Sequence, residues 1–412
     1  MSLIKNSTWN IAGFVLPLIV AIPAMGFIAR SLGLEKFGLF TLAYALVGYA
    51  GIFDMGLSRA VIRAIAINSN DENSIKKILG TASVFIFFLG LLATSIVYFN
   101  AARIVDLLSV SQQLREDAIQ GFQYLSLAVL PLLLSTVWFS YLEGDGRFYK
   151  LSILKTVTGI AISLGPVLFI MHTASFKFAV LGLVIGRIIT VLVAYIYSLE
   201  QYRKFIFRAN INTFKELIKF GGWVTISNIL SPIMVYFDRF FISNIVGAQS
   251  VAFYTAPAEA VSRLLMIPMA VSRVIFPKLS AKHSDAAEQT ALASKLLLAF
   301  SLCIACFVII FAKLLLLLWV GDAYLGEAVT VLRILIVGLI FNSLAQIPNA
   351  KLQAAGHSKT TALTHLTEII PYIAILYTLV LNFGLVGAAI AWTTRVLFDY
   401  LALSYLAKKL NT

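Results

Sequence analysis

The sequence predicts an all-α integral membrane protein of twelve transmembrane helices, arranged as two parallel-repeat six-helix bundles around a central cavity. Composition comes first. A mean hydropathy of +0.92, with 60% hydrophobic and 12% charged residues in 412, excludes a soluble globular chain, in which about 25% of residues are charged. Next, twelve runs come near the about 20 apolar residues that one crossing needs. Finally, the chain matches itself at an offset of about 205 to 214 residues: Gly33 falls on Gly247, Phe40-Thr41 on Tyr254-Thr255, and Ser58-Arg59 on Ser272-Arg273. Further on, Leu142 and Gly146 fall on Leu352 and Gly356, and Gly182 on Gly387. Parallel duplication of this kind gives a two-fold axis along the bilayer normal, with a cavity between the halves.

The first half is expected at residues 1–205 and the second at 206–412. In the first half the runs are 10–28, 37–56, 79–98, 119–142, 152–171 and 178–198. The run after Lys5 carries a weak cleavage pattern at Ala21 and Ala24, but it is too long for a signal peptide and reads as an uncleaved first span. Gly182 and Gly186 give the sixth run a small face for close packing. Residues 200–219 join the halves, and Phe214, Leu217 and Ile218 among Lys215, Glu216 and Lys219 predict an amphipathic helix on the inner membrane surface. The second half repeats the pattern at 222–246, 251–273, 296–319, 327–350, 361–383 and 385–406. Pro17, Pro23, Pro131, Pro232, Pro257, Pro268, Pro348 and Pro371 mark bends, which serve as hinges or are ordinary membrane-helix prolines.

A net charge of +13 raises nucleic acid as a partner, yet the cations are sorted by side. One side receives Lys5, Arg59, Arg63, Lys76, Lys77, Arg147, Lys150 and Lys155, and further clusters follow through Arg203, Arg273, Lys351 and Lys409. The other keeps only Lys36, Arg103, Arg115, Lys177 and Lys313. The positive-inside rule then places both termini in the cytoplasm and makes membrane lipids, not nucleic acid, the partner.

Ionisable groups at membrane depth carry the chemistry, because each costs several kcal/mol to place there. Arg187, Glu259, Arg263, Glu368, Arg395 and Asp399 lie deep, while Arg30, Asp54, Asp238, Arg239 and Arg333 lie nearer span ends, where long side chains reach the interface. Glu259/Arg263 and Arg395/Asp399 are spaced i,i+4, so each pair is expected to neutralise itself. Arg187 has no acid within a turn of its own helix, so it faces the cavity and an anion, or else bridges to Glu368 or Asp399. A guanidinium suits phosphate through its bidentate fork. Glu368, Asp399 and Glu259 are the candidates for carrying a coupling ion, with Glu368 preferred because only His365 stands near it on its own helix.

Catalytic signatures are missing. The chain has no phosphate-binding G-x-x-x-x-G-K-[ST] loop. Its four histidines, His172, His283, His357 and His365, show no metal-ligand spacing, and no cofactor is implied. Cys303 and Cys306 have redox or metal spacing but no supporting ligands, and read as small packing residues.

An ordered set of short motifs spans the whole chain. It comprises Arg30-Ser31-Leu32-Gly33 with Phe37-Gly38-Leu39-Phe40, Asp54-Met55-Gly56-Leu57-Ser58, the stretch 142–147, Asp238-Arg239, the stretch 247–254, and Phe276-Pro277. In these the chain resembles the polysaccharide transporter family, the Wzx-type O-antigen flippases of the multidrug/oligosaccharidyl-lipid/polysaccharide exporter superfamily. The resemblance implies flipping of an undecaprenyl-pyrophosphate-linked oligosaccharide across the bacterial inner membrane by alternating access, driven by an ion gradient. It implies that Arg30, Arg187, Arg263 and Arg395 attract the pyrophosphate or acidic sugars. Asp54, Arg59, Asp238, Arg239 and Arg273 would then be gating or structural motif residues. Implied partners are the lipid-linked oligosaccharide and, beside it, a polysaccharide polymerase and a chain-length regulator. Peptidoglycan-precursor flippases of the superfamily look like fourteen-span proteins, which counts against that substrate for twelve spans. Two other readings stand beside this one: a drug or metabolite antiporter of the same superfamily, and a membrane-embedded polymerase or glycosyltransferase. The latter usually needs a longer outer loop than residues 100–120.

Overall fold

A computed structural model describes residues 3–198, 208–269, 271–272, 279, 286–355 and 357–410. The expected landmarks Arg273, Phe276-Pro277 and Gly356, and the 205/206 boundary between the halves, lie outside the described residues. Helices account for nearly all of the described chain, and each of the twelve apolar runs falls mostly on helix where it is described, with short turns as at 55–56 and 127–128. By length and apolarity alone, seven helices among the described residues are able to cross a membrane, and one of these is 51 residues long. The chain divides into two compact units, residues 1–236 and 237–412.

The first unit contains α1 (Leu3–Leu32), α2 (Leu34–Ala50), α3 (Leu57–Ile67), α4 (Glu72–Phe99), α5 (Ala101–Leu107), α6 (Arg115–Ser126), α7 (Val129–Gly144), α8 (Phe148–Ile170) and α9 (Phe176–Val193). Most of α10 (Ile211–Val246) also belongs to it. Two of these helices start at a side chain that satisfies their free amides. The Asp71 carboxylate accepts from the amides of Asn73 (3.0 Å) and Ser74 (3.2 Å) at the head of α4. Ser175 does the same for Phe178 at the head of α9.

Helices α8 and α9 pack where Gly165 and Gly182 meet backbone to backbone, and a Cβ on either glycine would strike the other's carbonyl. Buried side chains of α3, α4 and α7 form the core, closed by a Trp138 Nε1 to Ser83 Oγ bond of 2.9 Å. At the expected outer end, polar ties join successive loops. Ser111 donates its amide to Glu35 (2.7 Å), Lys36 donates to the Ala174 carbonyl (3.0 Å), and Phe176 donates its amide to Asp117 (3.0 Å).

The joining segment differs from expectation. Residues 211–219 do form an amphipathic helix with Lys215, Glu216 and Lys219 outward, but they are the first turns of α10. Their apolar face packs on protein: Phe214 stacks on Phe85 with ring centroids 3.5 Å apart, and Leu217 joins the buried core. The Asn210 amide bonds Thr81 at 2.9 Å. The core of the first unit therefore takes the apolar stripe that the sequence assigned to the bilayer.

The second unit holds the end of α10, α11 (Ala248–Leu264), α12 (Ala286–Trp319), α13 (Glu327–Ala354) and α14 (Ser358–Lys409). Inside α14 the backbone breaks at Gly384 (φ 54°, ψ −130°), a conformation that glycine adopts without a Cβ clash. Tyr372 meets Arg395 and His365 meets Asp399, so the two arms fold back antiparallel about that break. Cys303 and Cys306 sit on the exposed face of α12, not in packing as the sequence reading had them. Their neighbours Ser301 and Ala305 take the buried face.

Candidate functional site

In the first unit the groups of interest sit on α1, α2, α3 and α9. Arg30 ends α1 and is exposed, and Arg59, in the first turn of α3, is exposed as well. Asp54 is buried and serves the backbone: Met55 and Gly56 both adopt positive φ (48° and 69°), ending the preceding turn. Across that break the Asp54 carboxylate accepts from the Ser58 amide (3.2 Å) and hydroxyl (2.8 Å). Asp54 is thus a helix-starting residue, and Arg59 is a nearby charge.

Arg187 lies on α9 beside the Tyr44 phenol of α2. Its Nε is buried without a hydrogen-bond partner, and among the described residues it makes no ion pair. The expectation that Arg187 lacks a local acid therefore holds in three dimensions within its unit. Arg187 is half-buried, and withdrawing part of a guanidinium from water without a compensating charge is costly.

The second unit gathers the other candidates into a buried polar cluster. Asp238 and Arg239, side by side near the end of α10, are each 3% exposed. The sequence placed both near a span end, where a charge can reach the interface; the structure encloses them instead. Asp238 accepts a short hydrogen bond from the Tyr254 hydroxyl on α11, and the Arg239 amide bonds its other oxygen at 2.7 Å. Arg239 reaches Glu259 at 2.9 Å, and Arg263 takes the second oxygen of that carboxylate at 3.2 Å. The i,i+4 pairing of Glu259 with Arg263 is as expected, but Glu259 bridges two guanidiniums, and the stronger contact comes from another helix.

The second expected pair does not form. Asp399 turns to His365, with Nε2 to Oδ1 at 3.2 Å and an angle short of a hydrogen bond, while Arg395 lies over the Tyr372 ring at 5.3 Å. An acid C-terminal to its cation is the weaker i,i+4 order, and the fold-back at Gly384 offers each group a partner on the opposite arm. Glu368 has both carboxylate oxygens buried without a hydrogen-bond partner; the charges that reach it are Asp399, His365 and Arg395.

Tyr254 and Tyr372 were missed in the sequence. The repeat held the signal for Tyr254: in the first half the equivalents of Asp238 and Tyr254 are Ala24 and Phe40, so acid and hydroxyl appear together only in the second copy. Among the described residues no group of three or more His, Cys, Asp or Glu is placed to hold a metal ion.

Comparison with known proteins follows this geometry. Residues 3–283 match the family described as polysaccharide biosynthesis protein, and residues 224–393 match the MatE family. The "Putative O-antigen transporter" of Shigella flexneri is 41% identical over 408 residues, covering 98% of each chain. The "Probable low-salt glycan biosynthesis flippase Agl15" of Haloferax volcanii is 23% identical over 89% of this chain and 75% of its own. Among solved structures, the lipid II flippase MurJ in its inward closed conformation superposes with a TM-score of 0.81 at 18% identity, covering 97% of this chain and 87% of that one. A multidrug resistance MATE family transporter of the MOP superfamily gives 0.78 at 16% identity, with 97% of both chains covered. At these identities the likeness establishes the fold, that of a multi-pass helical membrane transporter. With 41% identity along almost its whole length and a family match over residues 3–283, the chain belongs to the polysaccharide biosynthesis protein family.

Proposed function

We propose that the chain flips a lipid-linked oligosaccharide, an undecaprenyl-pyrophosphate-borne repeat unit, from the inner to the outer leaflet of a bacterial plasma membrane. The observation that carries this reading is Arg187, a half-buried arginine whose Nε is withdrawn from water without a hydrogen-bond partner and which forms no ion pair among the described residues. A diphosphate offers the two parallel acceptor oxygens that such a fork binds. Relatives named for O-antigen transport and glycan flipping support it; they are transporters, and none of them supports the polymerase or glycosyltransferase alternative.

On this reading the halves are residues 1–205 and 206–412, both termini are cytoplasmic, and the path opens alternately to each side. Arg30, Arg263 and Arg395 assist Arg187 in drawing the anion in. Asp54, Arg59, Asp238, Arg239 and Arg273 serve as gating or structural motif residues. Glu368 carries the coupling ion, with Asp399 and Glu259 as the other candidates. A polysaccharide polymerase and a chain-length regulator receive the flipped unit.

The test is surface polysaccharide in cells depleted of the native protein. Arg187→Ala is expected to abolish it at unchanged protein level, and Arg187→Lys to restore it in part, because an ammonium keeps the charge and loses the fork. Full activity of Arg187→Ala overturns the assignment. The second reading, a drug or metabolite antiporter, is favoured by the MATE likeness and by the acids and tyrosines of the second unit. It predicts drug efflux that Arg187→Ala leaves intact.

A further inference from the structure

Cations on the outer side are few, and most are spoken for. Lys36 donates to the Ala174 carbonyl, Arg103 to Asn100, Arg115 to Asp106 and Lys177 to Gln120. Lys313 on α12 and Arg333 on α13 are exposed as well; neither forms an ion pair among the described residues, and Arg333, like Lys36, bonds a backbone carbonyl.

These two meet. Arg333 donates its Nε to the Ile309 carbonyl at 3.2 Å, which fixes its guanidinium against one turn of α12. In an α-helix that carbonyl also faces the amide of Lys313, four residues on, and a helical side chain leans back over the preceding turn. The backbone of Lys313 therefore stands beside the place where Arg333 arrives. Depth agrees as well: each residue stands six positions inside its helix end at Trp319 or Glu327, about 9 Å at 1.5 Å per residue. The surrounding face is apolar and outward, with Ile310 69%, Leu314 49% and Leu317 39% exposed. Glu327 shares the side of α13 but lies two turns away, beyond pairing spacing.

We propose that Lys313 and Arg333 form a binding site for the phosphate of an acidic glycerophospholipid in the outer leaflet. Two neighbouring cations on a lipid-facing surface require an anion, and long basic side chains at that depth extend toward the interface, where the bilayer presents its phosphates. Phosphatidylethanolamine brings an ammonium of its own, so a net-anionic headgroup such as phosphatidylglycerol balances the pair better. The site lies on the outside of the second unit and is independent of what the protein transports. A resident lipid held there would seal α12 to α13 where the Arg333 bond already joins them.

Full-length protein in phosphatidylethanolamine nanodiscs doped with phosphatidylglycerol, analysed by native mass spectrometry, reads the lipids retained. Wild type is expected to retain phosphatidylglycerol in preference. With each surface cation contributing roughly fivefold, Lys313→Gln or Arg333→Gln should each lower that preference about fivefold, and the double variant about 25-fold. Lys408→Gln, at the far end of α14, should leave it unchanged. If the double variant does not fold, Lys313→Gln alone decides, because its side chain is exposed and the Arg333 bond survives. A preference untouched by Lys313→Gln overturns the site. So does displacement of phosphatidylglycerol by added undecaprenyl diphosphate, which would make the pair a station for cargo.

Discussion

Tyr254 offers its hydroxyl to Asp238 where the repeat copy has Phe40, so the sequence itself provides the variant that tests the bond. Tyr254→Phe keeps the ring and removes the donor, leaving a buried carboxylate oxygen short of a partner, which costs on the order of 1–3 kcal/mol. Thermal unfolding in detergent should show the loss; an unchanged midpoint would mean that Asp238 finds another donor. Next to it, Glu259 holds two arginines of unequal burial, with side chains 4% and 31% exposed for Arg239 and Arg263. Removing the buried partner of a bridge is strongly destabilising, about 3–5 kcal/mol. Arg239→Met should therefore cost that much, and Arg263→Met clearly less, because water reaches the second pair. Equal losses would contradict the burial order.

Helices succeed or fail at their contacts and caps. Gly182→Leu places a side chain into the Gly165 backbone, and separating α8 from α9 should destabilise by at least the 1–3 kcal/mol of an overpacked core. Loss of folded protein in detergent should be complete or nearly so. The cap of α4 adds a pH dependence. Hydrogen bonds from the Ser74 hydroxyl and amide hold the exposed Asp71 carboxyl below its ordinary value. Its contribution is thus present above the unfolded carboxylate pKa and is lost as pH falls through the lower folded one. Asp71→Ala should flatten the acid limb of stability, and an identical limb would remove Asp71 from the account. Part of this scale was legible in sequence: Gly182 does seat a neighbouring helix, and the repeat landmarks Gly33 and Gly247 prove to be equivalent positive-φ breaks between helices. What escaped depended on long-range folding. The i,i+4 rule is local and paired Arg395 with Asp399, whereas the turn at Gly384 brings His365 from another arm. Hydropathy marks the apolar stripe of residues 211–219 but does not distinguish a bilayer from the face of α4 as what covers it.

For the molecule as a transporter, the two copies of one fold carry different charges. The first unit holds Arg187 with no ion pair among the described residues; the second groups Asp238, Glu259, Glu368 and Asp399 with Arg239, Arg263, Arg395 and His365, the first two acids and Arg239 buried and the rest half-buried. Four carboxylates against three guanidiniums leave one negative charge, and neutrality then requires one proton among His365, Asp399 and Glu368. Enclosed net charge is costly, so the cluster should take up or release that proton as its access to water changes, which is what coupling to a gradient requires. Glu368 is the natural holder, since neither of its oxygens has a hydrogen-bond partner to keep it ionised. Glu368→Gln removes the unbalanced carboxylate and makes the cluster neutral with no exchangeable proton. In proteoliposomes carrying lipid-linked oligosaccharide, an imposed pH gradient should drive flipping by the wild type. The variant should show only the slow rate seen without a gradient, at unchanged folding. The charge count also predicts that His365→Gln, which leaves Glu368 and Asp399 as sites for the proton, retains part of the response. Gradient-driven flipping undiminished in Glu368→Gln would transfer the carrier role to Asp399 or Glu259, or to a sodium gradient, each distinguishable by Asp399→Asn, Glu259→Gln or sodium replacement.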